Sequence, residues 1–137
     1  MNTRGVTLVE VLIAVLIAGF LLAAVWTSFL LGTFNVNAAR HAAQATDLCE
    51  AGVELMQAKT PMEVQALLGT TVTEELNLDY TADKASAITC TRTTTVTDAD
   101  GDNVYEVTVT VGWNERYLGG TKAREIVLNT QIANVNM

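Results

Sequence analysis

Few side chains in this sequence could do chemistry, and Glu10 has the most unusual setting. It stands at the head of a long apolar run, just after the short leader MNTRG, and no charged residue follows it until Arg40. An acid at the centre of a membrane-inserted helix costs about 2.5 to 3.5 kcal/mol, and such residues mark functional sites that have a partner. Asp98, Asp100 and Asp102 have the alternate spacing that opens a calcium loop. The twelfth position from Asp98 is Val109 rather than a bidentate glutamate, and the turn glycine is misplaced. A tight acidic hairpin fits better, with a weak calcium site on these three carboxylates left open. His41 is the single histidine and lies beside Arg40, so no second His completes a zinc site, and no nucleophile–base pair is proposed. It is expected on a solvated helix face. With no glycine-rich phosphate loop either, the chain does not read as an enzyme and implies no cofactor.

The element that carries Glu10 is apolar enough for a bilayer. Val11 to Leu31 is uncharged, with only Thr27 and Ser28 polar, and about 20 such residues span a membrane. A cleaved secretory signal would have a shorter apolar stretch followed by its small-residue cleavage site; here Arg4-Gly5 precedes the run. A plain anchor explains the length of the run but not Glu10. Arg4 is the only basic residue before it, which puts the N-terminus in the cytoplasm by the positive-inside tendency.

The segment RGVTLVE, with Glu10 five positions after Gly5, resembles the N-terminus of type IV pilins and of the related pseudopilins of type II secretion. The resemblance implies that a membrane peptidase cuts between Gly5 and Val6 and methylates the new amine of Val6, leaving the apolar helix on the mature chain. Pilins usually begin with Phe or Met at this place, so Val6 departs from the pattern. Glu10 would then meet the cationic amine of Val6 on a neighbouring copy, which offsets part of the desolvation either charge would suffer alone. Thr7 sits at the same locus, either as an assembly contact or as an ordinary polar helix start. The partners implied are other pilin subunits, the prepilin peptidase, an assembly platform with its ATPase, and the inner membrane before assembly. The filament would lie in the periplasm or at the cell surface.

Beyond the run, the sequence is Ala-rich and free of proline until Pro61. Ala45, Leu48, Gly52, Leu55, Met56 and Lys59 follow helical spacing and predict one stripe, with Asp47, Glu50 and Glu54 off it. One helix is therefore expected from about Val6 to Lys59, roughly 80 Å long at 1.5 Å per residue. Many major pilins have a proline where Thr27 stands; without it the Gly19–Thr27 stretch is nominally continuous. After Pro61, MEVQALLG reads as a helical turn or loop. Period-two alternation follows in Leu76, Leu78 and Tyr80, then in ITCTRTTTV, in VYEVTVTVGW and in REIVLNTQIA. DADGDN and LGG punctuate the last three runs as hairpin turns do. Three or four antiparallel strands are expected on the amphipathic half of the helix, with Tyr105, Val107, Val109 and Val111 inward.

The fold class is thus α+β and pilin-like. Its divisions are a leader (1–5), an apolar helix (6–31), an amphipathic helical half (32–60) and a small β-rich region (61–137). YEVTVTV followed by Arg124, Leu128 and Thr130 is similar to small minor pilins of the PilV type and minor pseudopilins of the GspI type. On the exported side of a membrane, Cys49 and Cys90 are expected to form a disulfide joining helix to sheet, with two buried thiols as the alternative. A net charge of −7 argues against nucleic acid, which needs a basic face. A pseudopilin of a secretion or DNA-uptake machine is the nearer alternative to a pilus subunit. A single-pass binding protein that never polymerises is the more distant one.

Overall fold

The structure, a computed structural model, describes residues 7–78, 88–98, 104–117 and 119–133. In chain order the elements are α1 (Leu8–Gln57), α2 (Pro61–Gln65), β1 (Thr71–Asn77), β2 (Thr89–Asp98), β3 (Val104–Tyr117) and β4 (Gly120–Ala133). Two compact units divide the chain, Met1–Asn37 and Ala38–Met137. The long helix against a four-stranded antiparallel sheet is the α+β, pilin-like architecture expected.

In the first unit α1 runs without a break through Gly19, Thr27 and Gly32. It is long and apolar enough to cross a membrane, and none of that apolar window is buried inside the chain. Its hydroxyls are turned back onto the helix: Thr27 Oγ1 donates to the Ala23 carbonyl at 2.8 Å, and Ser28 Oγ to Ala24 at 2.9 Å. Such back-bonding satisfies a polar side chain where no water is present.

In the second unit one face of α1 is buried, formed by His41, Ala45, Cys49, Gly52 and Met56. These lie four, four, three and four residues apart, the spacing of one helical face. Ala45, Gly52 and Met56 of the expected stripe are on this face, and Leu48, Leu55 and Lys59 are not. Leu55 is 53% exposed and Leu48 only half-buried, because the face that meets the sheet is centred on the small residues Cys49 and Gly52. Gly52 sets how closely the elements approach. A Cβ there would lie 2.9 Å from Val109 Cγ1 and 3.3 Å from Arg92 Cδ.

The helix ends at Gln57, and Pro61 opens α2, where its missing N–H is no loss. Thr60 supports that start by donating its N–H and its hydroxyl to Glu63 Oε2, each at 2.8 Å. The sheet is an antiparallel meander in the order β1-β2-β3-β4. β3 alternates strictly, burying Tyr105, Val107, Val109, Val111, Trp113 and Glu115. The inward set expected from the sequence is borne out and runs two positions further. β1 starts at Thr71, earlier than the alternation from Leu76 suggested. As an edge strand exposed on both faces it carries no apolar period to read.

Gly52→Ala is expected to lower stability by about 1–3 kcal/mol, since overpacking against Val109 outweighs the gain in helix propensity. Gly19→Ala meets open space and should leave stability unchanged or slightly raised. Denaturant unfolding of both variants in detergent checks the contrast.

Candidate functional site

Two groups of side chains hold the chemistry of this chain, one at the start of α1 and one in the second unit. At the start, the Thr7 Oγ1 accepts a hydrogen bond from the Glu10 N–H at 3.3 Å, and the Thr7 carbonyl accepts from the same group at 3.0 Å. Thr7 is thus the capping residue and Glu10 the third helical position, the spacing of a capping box. An acid in the first turn also sits well with the helix dipole. The Glu10 carboxylate itself is exposed, and among the described residues no side chain bonds it. Thr7 therefore acts as a helix start within the single chain. Gly5 and Val6 lie outside the described residues.

The cysteines require a correction. Cys49 and Cys90 are both buried and both free; no disulfide joins them. The direction of the Cys49 thiol explains this. Its Sγ lies 3.6 Å from the Ile126 carbonyl on β4 and 3.9 Å from that of Val109 on β3. Cys90 belongs to β2, on the other side of β3. Burial raises the pKa of each thiol above its ordinary value, Cys49 and Cys90 alike.

The second group was not foreseen. His41 is buried rather than solvated, 7% exposed, and its Nδ1 lies 2.9 and 3.0 Å from the two carboxylate oxygens of Glu115. A carboxylate accepts, so the geometry assigns the Nδ1 proton to the ring. Trp113 Nε1 donates to the same Glu115 Oε2 at 2.9 Å. Glu115 is 3% exposed; it extends the inward alternation of β3 by one step and brings a charge into the core. Two donors from two elements make that position tolerable. The group ties the first turn of α1 in the second unit to the far end of β3. The alternation of YEVTVTVGWNE was the available signal, since it carries Glu115 inward with Trp113.

Asp98 closes β2 and is exposed, whereas Asp100 and Asp102 lie outside the described residues. Among the described residues no three His, Cys, Asp or Glu side chains converge as a metal site.

With this geometry in view, comparison with known proteins adds one finding at the N-terminus. Residues 1–26 match the family described as the prokaryotic N-terminal methylation motif. The chain is pilin- or pseudopilin-like in this segment. The matched stretch holds Gly5, Val6, Thr7 and Glu10. No curated protein and no solved structure matches the chain.

Glu115→Ala removes the acceptor of the buried Trp113 indole N–H and one partner of the buried His41 ring, and is expected to lower stability by about 3 kcal/mol. Asp47→Ala on the exposed face should stay within about 0.5 kcal/mol; chemical denaturation separates the two. The thiols give a further test. Their raised pKa means that the folded state favours the neutral form, so this stabilisation is complete below about pH 9 and fades as pH rises through the raised values. Native protein at pH 8 should therefore resist a thiol reagent at both cysteines. Denatured, unreduced protein should react at both, whereas a bridged protein would react at neither.

Proposed function

We propose that this chain is a structural subunit of a type IV pilus-like filament, processed after Gly5 and assembled through its N-terminal helix. The match of residues 1–26 to the methylation motif carries this reading. Before processing, the chain rests in the inner membrane with residues 1–5 inside the cell. Cleavage exposes the amine of Val6, which becomes methylated. In the filament that cation on one copy meets Glu10 of the next, and Thr7 stays as the cap that presents the first turn.

The physical support is the mismatch between the two halves of α1. Phe20 is 70% exposed, Leu22 72% and Val25 67%, an apolar surface that lipid covers before assembly and other copies cover afterwards. Helix packing then supplies most of the assembly energy, and the charge contact fixes axial register. The short sheet and the likeness of YEVTVTV and its sequel to PilV-type and GspI-type chains favour a minor subunit. The partners are other pilin subunits, the prepilin peptidase and an assembly platform driven by its ATPase.

Whole-protein mass spectrometry in cells with and without prepilin peptidase tests the reading. Loss of residues 1–5 and gain of one methyl group should appear only when the peptidase is present. An intact chain in both backgrounds would remove the proposal. Glu10→Ala should be processed normally yet enter filaments at least about tenfold less, the loss expected for about 1.4 kcal/mol. Sheared and sedimented filaments give the measure.

A further inference from the structure

We propose that the β3–β4 end of the second unit docks on anionic phospholipid headgroups of the membrane that the apolar helix crosses. The inference rests on the membrane placement of residues 11–31 proposed above. Its basis is how charge is divided in an acidic protein. The chain has a net charge of −7 and eight Lys and Arg. Four of these, Arg40, Arg116, Lys122 and Arg124, belong to one end of the second unit, and all four are exposed. The carboxylates there are Glu115 and Glu125. Glu115 is buried and already bonded to His41 and Trp113, so it does not offset the basic surface. Among the described residues elsewhere in this unit, only Lys59 and Arg92 stand against eight Asp and Glu.

The fold gathers the basic group. Glu115 pairs with Lys122, Arg116 with Thr121, and Tyr117 with Gly120, so the strands close into a tight end. Arg124 is held rather than loose. Its Nε donates to the Tyr117 hydroxyl at 3.2 Å, Nη2 donates to the same oxygen, and its guanidinium lies 5.8 Å from the centre of that ring. A tyrosine flanked by Lys and Arg is the composition that settles at a membrane interface.

Position in the unit agrees with charge. The His41–Glu115 contact fixes this end of β3 beside the turn of α1 that bears Arg40. That turn begins at Ala38, where the second unit starts. Arg40 and the basic strand end therefore lie where the chain enters the second unit from the apolar helix. Each basic side chain at an anionic surface strengthens association about fivefold. Together they would hold the unit against the lipid until assembly removes the chain from the bilayer.

The test uses the full chain in nanodiscs of phosphatidylcholine, with or without phosphatidylglycerol, and amide hydrogen exchange read by mass spectrometry. The expected result is exchange at residues 116–124 slowed about fivefold or more by phosphatidylglycerol, with the effect lost in high salt. It should also be lost in the triple variant Arg116→Gln, Lys122→Gln, Arg124→Gln. Equal exchange in the two lipids would overturn the proposal. So would protection in phosphatidylcholine discs that scales with the number of chains per disc, which would mark the acidic surface of a second copy as the partner. Flotation with phosphatidylcholine vesicles reports the apolar helix alone. A chain that fails to float there contradicts the membrane placement, whereas floating without hairpin protection contradicts only the docking.

Discussion

Among the described residues nothing covers the apolar surface of α1 between Leu8 and Leu31. That deficit governs the rest of the molecule. A helix apolar on all sides is stable only in lipid or among other helices, so the first unit is incomplete alone. In the second unit, twelve hydrophobic residues among those described are buried in one core cluster. The chain thus joins an exposed apolar helix to a unit with its own core.

Within the second unit the same logic runs at smaller scale. Gly52 lets α1 approach Val109 and Arg92 closely, and dense packing at that contact anchors the helix over the middle of the sheet. Near the start of the unit the anchor is polar, the His41–Glu115–Trp113 group. Beside the Gly52 contact Arg92 serves both strand and helix, with Nη1 donating to the Leu48 carbonyl at 3.3 Å and Nη2 paired to Glu74. Both polar contacts lie where the helix meets the strands.

Much of this was legible in the sequence. The apolar run, the stop at Pro61, the alternation of β3 and its inward valines follow from periodicity and proline chemistry. The place of Glu10 followed from a spacing that residues 1–26 share with a known motif. What escaped depended on residues distant in the chain. His41 reads as solvated because its partner lies 74 positions away, and a single polar residue on a helix carries no period. The disulfide was inferred from compartment and element, yet side-chain direction decides a bridge, and Cys49 is aimed at the carbonyls of β3 and β4. Of the expected helical stripe Ala45, Gly52 and Met56 are buried, whereas Leu48, Leu55 and Lys59 lie off the buried face and Cys49 takes its centre. Close packing against a sheet favours the smaller residues.

The account turns on a carboxylate in the first turn of an apolar helix finding its counter-charge on another copy. Zero-length carbodiimide coupling on filaments assembled from mixed isotopically light and heavy chains tests this contact directly. An amide linking the Val6 amine to the Glu10 carboxylate is expected in peptide mass spectra, with light–heavy pairs making up about half. Absence of that linkage in assembled filaments, or its occurrence only within single chains, would contradict the account.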